Sequence, residues 1–165
     1  MIVDADYLET IRGTAYGNDI VFTTGCFNLY HPGHVIFLER AKQFGKILTA
    51  AVAHDDITKV KRVPALNQAQ RMYMVDSHKA VDYVVAEEGK MPPRNVSRLV
   101  RLLRPKTWVT NDDNPNLQGY KATCDLLGVK LEVLGRINTG IFDISTTELI
   151  RRVCALENLR KLEEV

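Results

Sequence analysis

The stretch that decides the fold is Asp19-Ile20-Val21-Phe22-Thr23-Thr24-Gly25-Cys26-Phe27-Asn28-Leu29-Tyr30-His31-Pro32-Gly33-His34. Its opening part is almost entirely apolar and β-branched, and it reads as a buried strand over 19–24 that ends at Gly25. From Gly33 the period changes. Val35, Leu38 and Ala41 recur at helical spacing, and Gly45 stops a predicted helix over 33–44. A strand that passes through a short glycine-bearing loop into a helix is the first half of a β-α-β unit.

The same alternation continues outward in both directions. A short helix is predicted over 4–12, with Leu8 and Ile11 facing inward. Further strands are predicted over 46–53, 82–86, 107–110 and 130–134, and helices over 67–79, 93–103, 117–127 and from Ser145 onward. Ser145 with Glu148 has the spacing of a capping box. Strands separated by helices of this length imply right-handed crossovers and a parallel sheet. The expectation is a single doubly wound α/β domain over 1–165, Rossmann-like, with a five-stranded parallel sheet. Its core runs from about 19 to 153, with a helical extension to 165.

Composition narrows the function classes. The chain has 165 residues, 45% apolar and 25% charged, with a formal net charge of +2. That balance suits a soluble globular domain and gives no basic stripe for a nucleic-acid partner. The longest apolar run, residues 47–53, falls far short of the roughly 20 needed to cross a bilayer. The first residues are acidic and lack a basic leader, so cytoplasmic residence is expected. Three widely spaced cysteines, Cys26, Cys124 and Cys154, suggest neither a disulfide framework nor a zinc site.

In doubly wound sheets, ligands bind beyond the carboxyl ends of the strands, where the strand order reverses. The residues from Thr24 through Gly25, Cys26 and Phe27 to His31 and His34 occupy that place. There a helix begins, and its free N–H groups and dipole attract phosphate. Imidazoles at His31 and His34 can donate to phosphate oxygens, Gly33 lets an anion approach the backbone, and Pro32 suits a first helical turn. Away from such a site, two histidines at this spacing read as a surface helix start. As metal ligands they lack a nearby carboxylate or thiolate.

The stretch from Phe22 to Arg40 resembles the cytidylyltransferase-like nucleotidyltransferases, whose signature is His-x-Gly-His. A second signature, Ile-Ser-Thr-Thr-x-Ile, is matched near the C-terminus by Ile144-Ser145-Thr146-Thr147-Glu148-Leu149-Ile150. Within that family the chain is most similar to the adenylyltransferase portion of bacterial ADP-heptose synthases. Thr23-Thr24-Gly25-Cys26-Phe27, Arg62 to Met72 and Ala80-Val81-Asp82-Tyr83-Val84-Val85 carry the likeness. Asn28 stands where most relatives have Asp, and Asp143 where Gly is usual. Thr110-Asn111-Asp112-Asp113-Asn114 replaces the Gly-Gly-Asp of the heptose enzymes and comes nearer the Gly-Asp-Asp of cytidylyltransferases.

The resemblance implies attack by an acceptor phosphate on the α-phosphorus of a nucleoside triphosphate, with pyrophosphate leaving. His31 and His34 would hold the triphosphate, and Lys59 and Lys61, after the second predicted strand, could reach the acceptor or α-phosphate. By resemblance Arg71 would bind phosphate. Ser145, Thr146 and Thr147 would meet the β- and γ-phosphates at a second helix N-terminus. Asp112 or Asp113 could contact ribose or acceptor. Mg²⁺ would come bound mainly through the triphosphate. The expected partners are ATP with a heptose 1-phosphate, no nucleic acid and no membrane. Relatives commonly dimerise, and Leu156, Leu159 and Leu162 could supply a helical contact.

Other pairs fit the same residues: CTP with a glycerol-3-phosphate-type acceptor, or ATP with FMN. Class I aminoacyl-tRNA synthetases share the His-x-Gly-His loop, but 165 residues leave no room for anticodon binding. A non-catalytic nucleotide-binding module is the alternative from a different class.

Overall fold

The structure, a computed structural model, describes residues 1–14, 16–61, 64–89, 94–135 and 144–163. Strands β1 (Ile2–Val3), β2 (Ile20–Gly25), β3 (Ile47–Val52), β4 (Tyr83–Ala86), β5 (Thr107–Asn111) and β6 (Lys130–Leu134) form one sheet. Its order is β1-β4-β3-β2-β5-β6, and every pairing is parallel. The five expected strands are present, and β1 adds a sixth at the edge. The short Ile2–Val3 pair carries no periodicity of its own and is a strand only because it lies beside Val84 and Val85.

Helices α1 (Tyr7–Arg12), α2 (Pro32–Lys42), α3 (Asp55–Lys61), α4 (Gln68–Asp76), α5 (Arg94–Leu103), α6 (Leu117–Leu127) and α7 (Thr146–Glu163), with a single 3-10 turn at Gly17–Asp19, complete the described elements. Helix α3 stands after the second predicted strand, where no helix was expected. His54 starts it, with its carbonyl accepting from Ile57 N at 3.1 Å and Thr58 N at 3.0 Å.

Every residue of β3 is buried, as a parallel strand covered on both faces requires. On one face Phe22, Trp108 and Val85 pack with Leu8 and Ile11 of α1 and Leu99 and Leu103 of α5. Trp108 stands edge-on to Phe22, with centroids 5.3 Å apart, and stacks on Tyr120 of α6 at 4.3 Å. On the other face Val21, Leu48 and Val109 meet Leu38 and Ala41 of α2 and Val75 of α4.

The chain leaves β2 toward β3 and β4 and later returns to β5 on β2's other side, so the order reverses at β2. Helix α2 starts there. Along α7, Val153 and Leu156 are exposed, whereas the side chains of Leu159 and Leu162 lie outside the described residues. Among the described residues no helix is long and apolar enough to cross a membrane.

Candidate active site

A cleft of about 350 Å³ opens at the carboxyl end of the sheet, above β2 and β5. Its floor is the end of β2 and the loop that follows, where Phe27 and Leu29 both take φ 48°. This left-handed geometry costs a side chain roughly 1 kcal/mol or more and folds the loop back over the sheet. Thr24, Gly25, Cys26 and Phe27 all line the cleft, as expected.

His31 caps α2. Its Nδ1 accepts from Gly33 N at 3.1 Å, and His34 Nδ1 accepts from His31 N at 3.4 Å. With Nδ1 accepting in each ring, Nε2 is the nitrogen left to donate. The rings lie 4.0 Å apart, with His34 also stacked on Tyr30 at 5.6 Å and tilted against Phe27 at 5.5 Å. Burial first, and the neighbouring His31 second, push the His34 pKa down to about 3. His34 is therefore a neutral donor at any physiological pH. Gly33 has a second reason to be glycine: a Cβ there would sit 2.9 Å from His31 Cε1 and 3.1 Å from the Ile144 carbonyl.

The N-terminus of α7 comes to the same place. Thr146 Oγ1 donates to the Asn28 carbonyl at 2.9 Å, and Ser145 Oγ accepts from Glu148 N at 3.2 Å. The Ser145 cap forms, but Glu148 turns away to Arg151 and Arg152. Ser145, Thr146 and Thr147 all line the cleft with His31, Gly33 and His34. Two helix N-termini thus converge on one space. Asn28, 5% exposed, holds Ala65 N through its Oδ1 at 3.2 Å and completes the junction.

Other expected residues fall elsewhere. Arg71 is a correction: it is fully buried, with partners on every nitrogen. It donates to the carbonyls of Leu66, Cys26 and Ala53 and to Asp55 Oδ1 at 2.7 Å, so it ties strand ends together and cannot meet a phosphate. Lys59 is also corrected. It lies on α3, 59% exposed and paired with Asp56 at 3.4 Å, and does not line the cleft, although its neighbour Thr58 does. Lys61 ends α3, and its side chain lies outside the described residues, as do Arg62, Arg136 and Asp143. Asp113 lines the cleft; Asp112 does not.

Arg40 was not expected. It lines the cleft from α2 and donates to the Gly135 carbonyl at 2.8 Å, bridging α2 to the end of β6. Helical spacing from Gly33 through Ile36 and Phe37 to Arg40 marks one face, and that was the available signal. Thr110, Asn111 and Asn114 were also missed. They line the cleft from the end of β5, and Asn114 Nδ2 donates to Thr110 Oγ1 at 3.0 Å.

The Cytidylyltransferase-like family matches residues 22–152. The chain belongs to this family of nucleotidyltransferases. Among curated proteins it is 38% identical over 140 residues to the bifunctional protein HldE of Aliarcobacter butzleri, covering 83% of this chain and 27% of that protein. It is 33% identical over 159 residues to HldE of Nitratiruptor, covering 92% and 32%. The chain thus spans about a third or less of the length of these relatives. Among solved structures, a lipopolysaccharide core biosynthesis protein from Thermoplasma volcanium superposes with TM-score 0.60 at 20% identity, covering 72% of this chain and 96% of that one. Pantoate-beta-alanine ligase from Francisella tularensis gives TM-score 0.64 at 14% identity, covering 97% and 79%.

Proposed function

We propose that this cytidylyltransferase-like domain transfers a nucleoside monophosphate from a nucleoside triphosphate to a phosphorylated acceptor, with ATP and a sugar 1-phosphate, a heptose 1-phosphate, as the pair. One observation carries the reading: His31, His34 and the N-termini of α2 and α7 all face one cleft at the reversal of strand order. The adenylyl acceptor rests on the likeness to ADP-heptose synthases over residues 62–72 and 80–85, and on the sequence relatives.

The chemistry follows from the donors. An oxygen of the acceptor phosphate forms a bond to the α-phosphorus. The bond to the oxygen bridging α and β breaks, and its electron pair leaves with pyrophosphate. The acceptor oxygen is already anionic, so no general base is needed. His31 and the neutral His34 donate from Nε2 to the non-bridging oxygens as charge gathers there. They are pre-oriented by their Nδ1 bonds and need no reorganisation. The N-terminus of α7, capped by Ser145, receives the β- and γ-phosphates. Arg40 is a guanidinium on the cleft wall.

Magnesium fits as a companion of the triphosphate. Among the described residues no three His, Cys, Asp or Glu side chains gather into a metal site, and Asp113 is a cleft-lining carboxylate. Bound through phosphate oxygens, the ion would neutralise charge on the leaving pyrophosphate.

Asp113 favours a second reading, CTP with a polyol phosphate, because it stands where cytidylyltransferases carry an acidic pair. Pyrophosphate release from ATP and from CTP, each with heptose 1-phosphate, glycerol 3-phosphate or FMN, separates the readings. Release with ATP and heptose phosphate, lost in His31→Ala, is expected. Release only with CTP moves the substrate. Nucleotide binding without release from any pair means either that the acceptor is a different phosphate or that the domain is a non-catalytic binder.

A further inference from the structure

Glu87, which follows β4, takes no part in the chemistry above, yet it is 5% exposed. Its Oε2 accepts the Thr24 hydroxyl at 3.2 Å, and Thr24 lines the cleft. The sheet register explains the meeting. Thr24, Ala51 and Val85 stand in register on one face, and Glu87, two residues beyond Val85, returns to that face. The small Ala51 lies between the two side chains. Among the described residues no cation pairs with Glu87.

The groups around the carboxyl are few. Tyr120 approaches from α6 and lies within electrostatic reach of both Glu87 and Cys26. From α4, Gln68 Nε2 donates to the Glu87 main-chain carbonyl at 2.8 Å. Beyond it, Glu88 pairs with Arg98 of α5 at 3.6 Å, and His54 abuts Gly89. Burial pushes the Glu87 pKa from 4.5 up to about 7, opposed by the Thr24 hydroxyl, which pulls it down.

We infer that Glu87 is a proton-linked positioning residue: it takes a proton from solvent when a polyanion enters the cleft and acts on that ligand through Thr24. The inference rests on the reading of the cleft as a triphosphate site. Ionised, Glu87 holds the Thr24 hydrogen, so Thr24 has no hydrogen left for a ligand. Its uncompensated charge beneath the floor also repels an anion through a medium that screens poorly. Protonated, Glu87 donates its own O–H to Thr24 Oγ1, and the Thr24 hydrogen is released. Only a proton moves, and the carboxyl keeps its place. Because linkage is reciprocal, a ligand that prefers protonated Glu87 must promote proton uptake there.

The test is calorimetric binding of Mg-ATP and Mg-CTP to the whole chain, run in buffers of different ionisation enthalpy and across pH. The wild type is expected to take up a fraction of a proton near neutrality and to bind about tenfold more weakly at pH 8.5 than at pH 6.5. Glu87→Gln keeps the shape and the bond to Thr24 while remaining neutral. Its affinity at high pH should match that of the wild type at low pH, with the uptake reduced by Glu87's share. A pH profile and uptake identical in wild type and variant overturn the inference while leaving the triphosphate site standing. Failure of the wild type to bind either triphosphate at any pH sinks both.

Discussion

His34 lies against His31, Tyr30 and Phe27, and that crowding sets its chemistry. Its folded pKa of about 3 lies below its ordinary 6.5, so the unfolded chain binds this proton more readily than the fold does. Stability from this residue is therefore complete above about pH 6.5 and declines as pH falls toward 3. Comparing the melting of wild type and His34→Gln at pH 7 and at pH 4.5 should show the wild type losing about 2 kcal/mol more. Equal losses would contradict the burial of a neutral imidazole. Gly33 sets a steric limit in the same place. Gly33→Ala must displace the His31 ring by a fraction of an ångström, and a misplacement near 1 Å is enough to slow turnover by about 10²-fold. Pyrophosphate release measured beside a circular dichroism spectrum checks it, with the spectrum expected to stay unchanged. That these residues would line a cleft was legible in the sequence, because it depends on residue types at a strand-to-helix junction. The packing of Gly33 against Ile144 was not, since the two are far apart in the chain. Glu87 escaped for a similar reason: nothing local shows that its carboxyl turns under β3 to Thr24.

At the scale of elements, the cleft depends on struts that hold strand ends and helix starts together. Arg71 is the main one. From α4 it reaches the end of β3, the loop after β2 and the start of α3, bonding three carbonyls and a carboxylate. Arg71→Met leaves those acceptors unpaired, the Ala53 carbonyl fully buried among them, and should cost about 3 kcal/mol, read from urea denaturation. Arg71→Lys should recover little, because an ammonium cannot reproduce the planar fork. If Arg71→Met instead kept its stability and lost only nucleotide affinity, the phosphate role implied by the resemblance would be restored. Thr146 is the second strut. Thr146→Val removes the bond from α7 to the Asn28 carbonyl and should cost about 1 kcal/mol while weakening triphosphate binding more than acceptor binding. Most elements were legible because each has its own period; helix 117–127 and strand 130–134 fell where they were expected. Helix α3 was not, because Asp55-Asp56-Ile57-Thr58-Lys59-Val60-Lys61 is short and nearly without an apolar stripe. Its partners beneath, Arg71 above all, come from a distant part of the chain.

Across the whole molecule, the arrangement of strands turns local preferences into a binding site. Right-handed crossovers carry the chain one way from β2 and then back to β5, which leaves the crevice between β2 and β5 uncovered by a connection. The starts of α2 and, more than a hundred residues later, α7 both reach that crevice. Their partial positive charges act together only on a ligand long enough to touch both. A nucleoside triphosphate has that length in its phosphate chain, whereas a monophosphate can engage α2 and the histidines alone. Thermal stabilisation by nucleotides should therefore rise from monophosphate through diphosphate to triphosphate. A ligand held at 100 times its dissociation constant adds about 2.7 kcal/mol. For a chain of this size that is a shift in Tm of about 5–10 °C. At equal concentration the monophosphate should show much less, and Thr146→Val should bring the triphosphate shift toward that of the diphosphate. Raising the salt should shrink the triphosphate shift most, because it carries the most charge. Equal shifts for all three nucleotides at equal concentration would mean that the base and ribose hold the ligand and that α7 does not meet the phosphates at all.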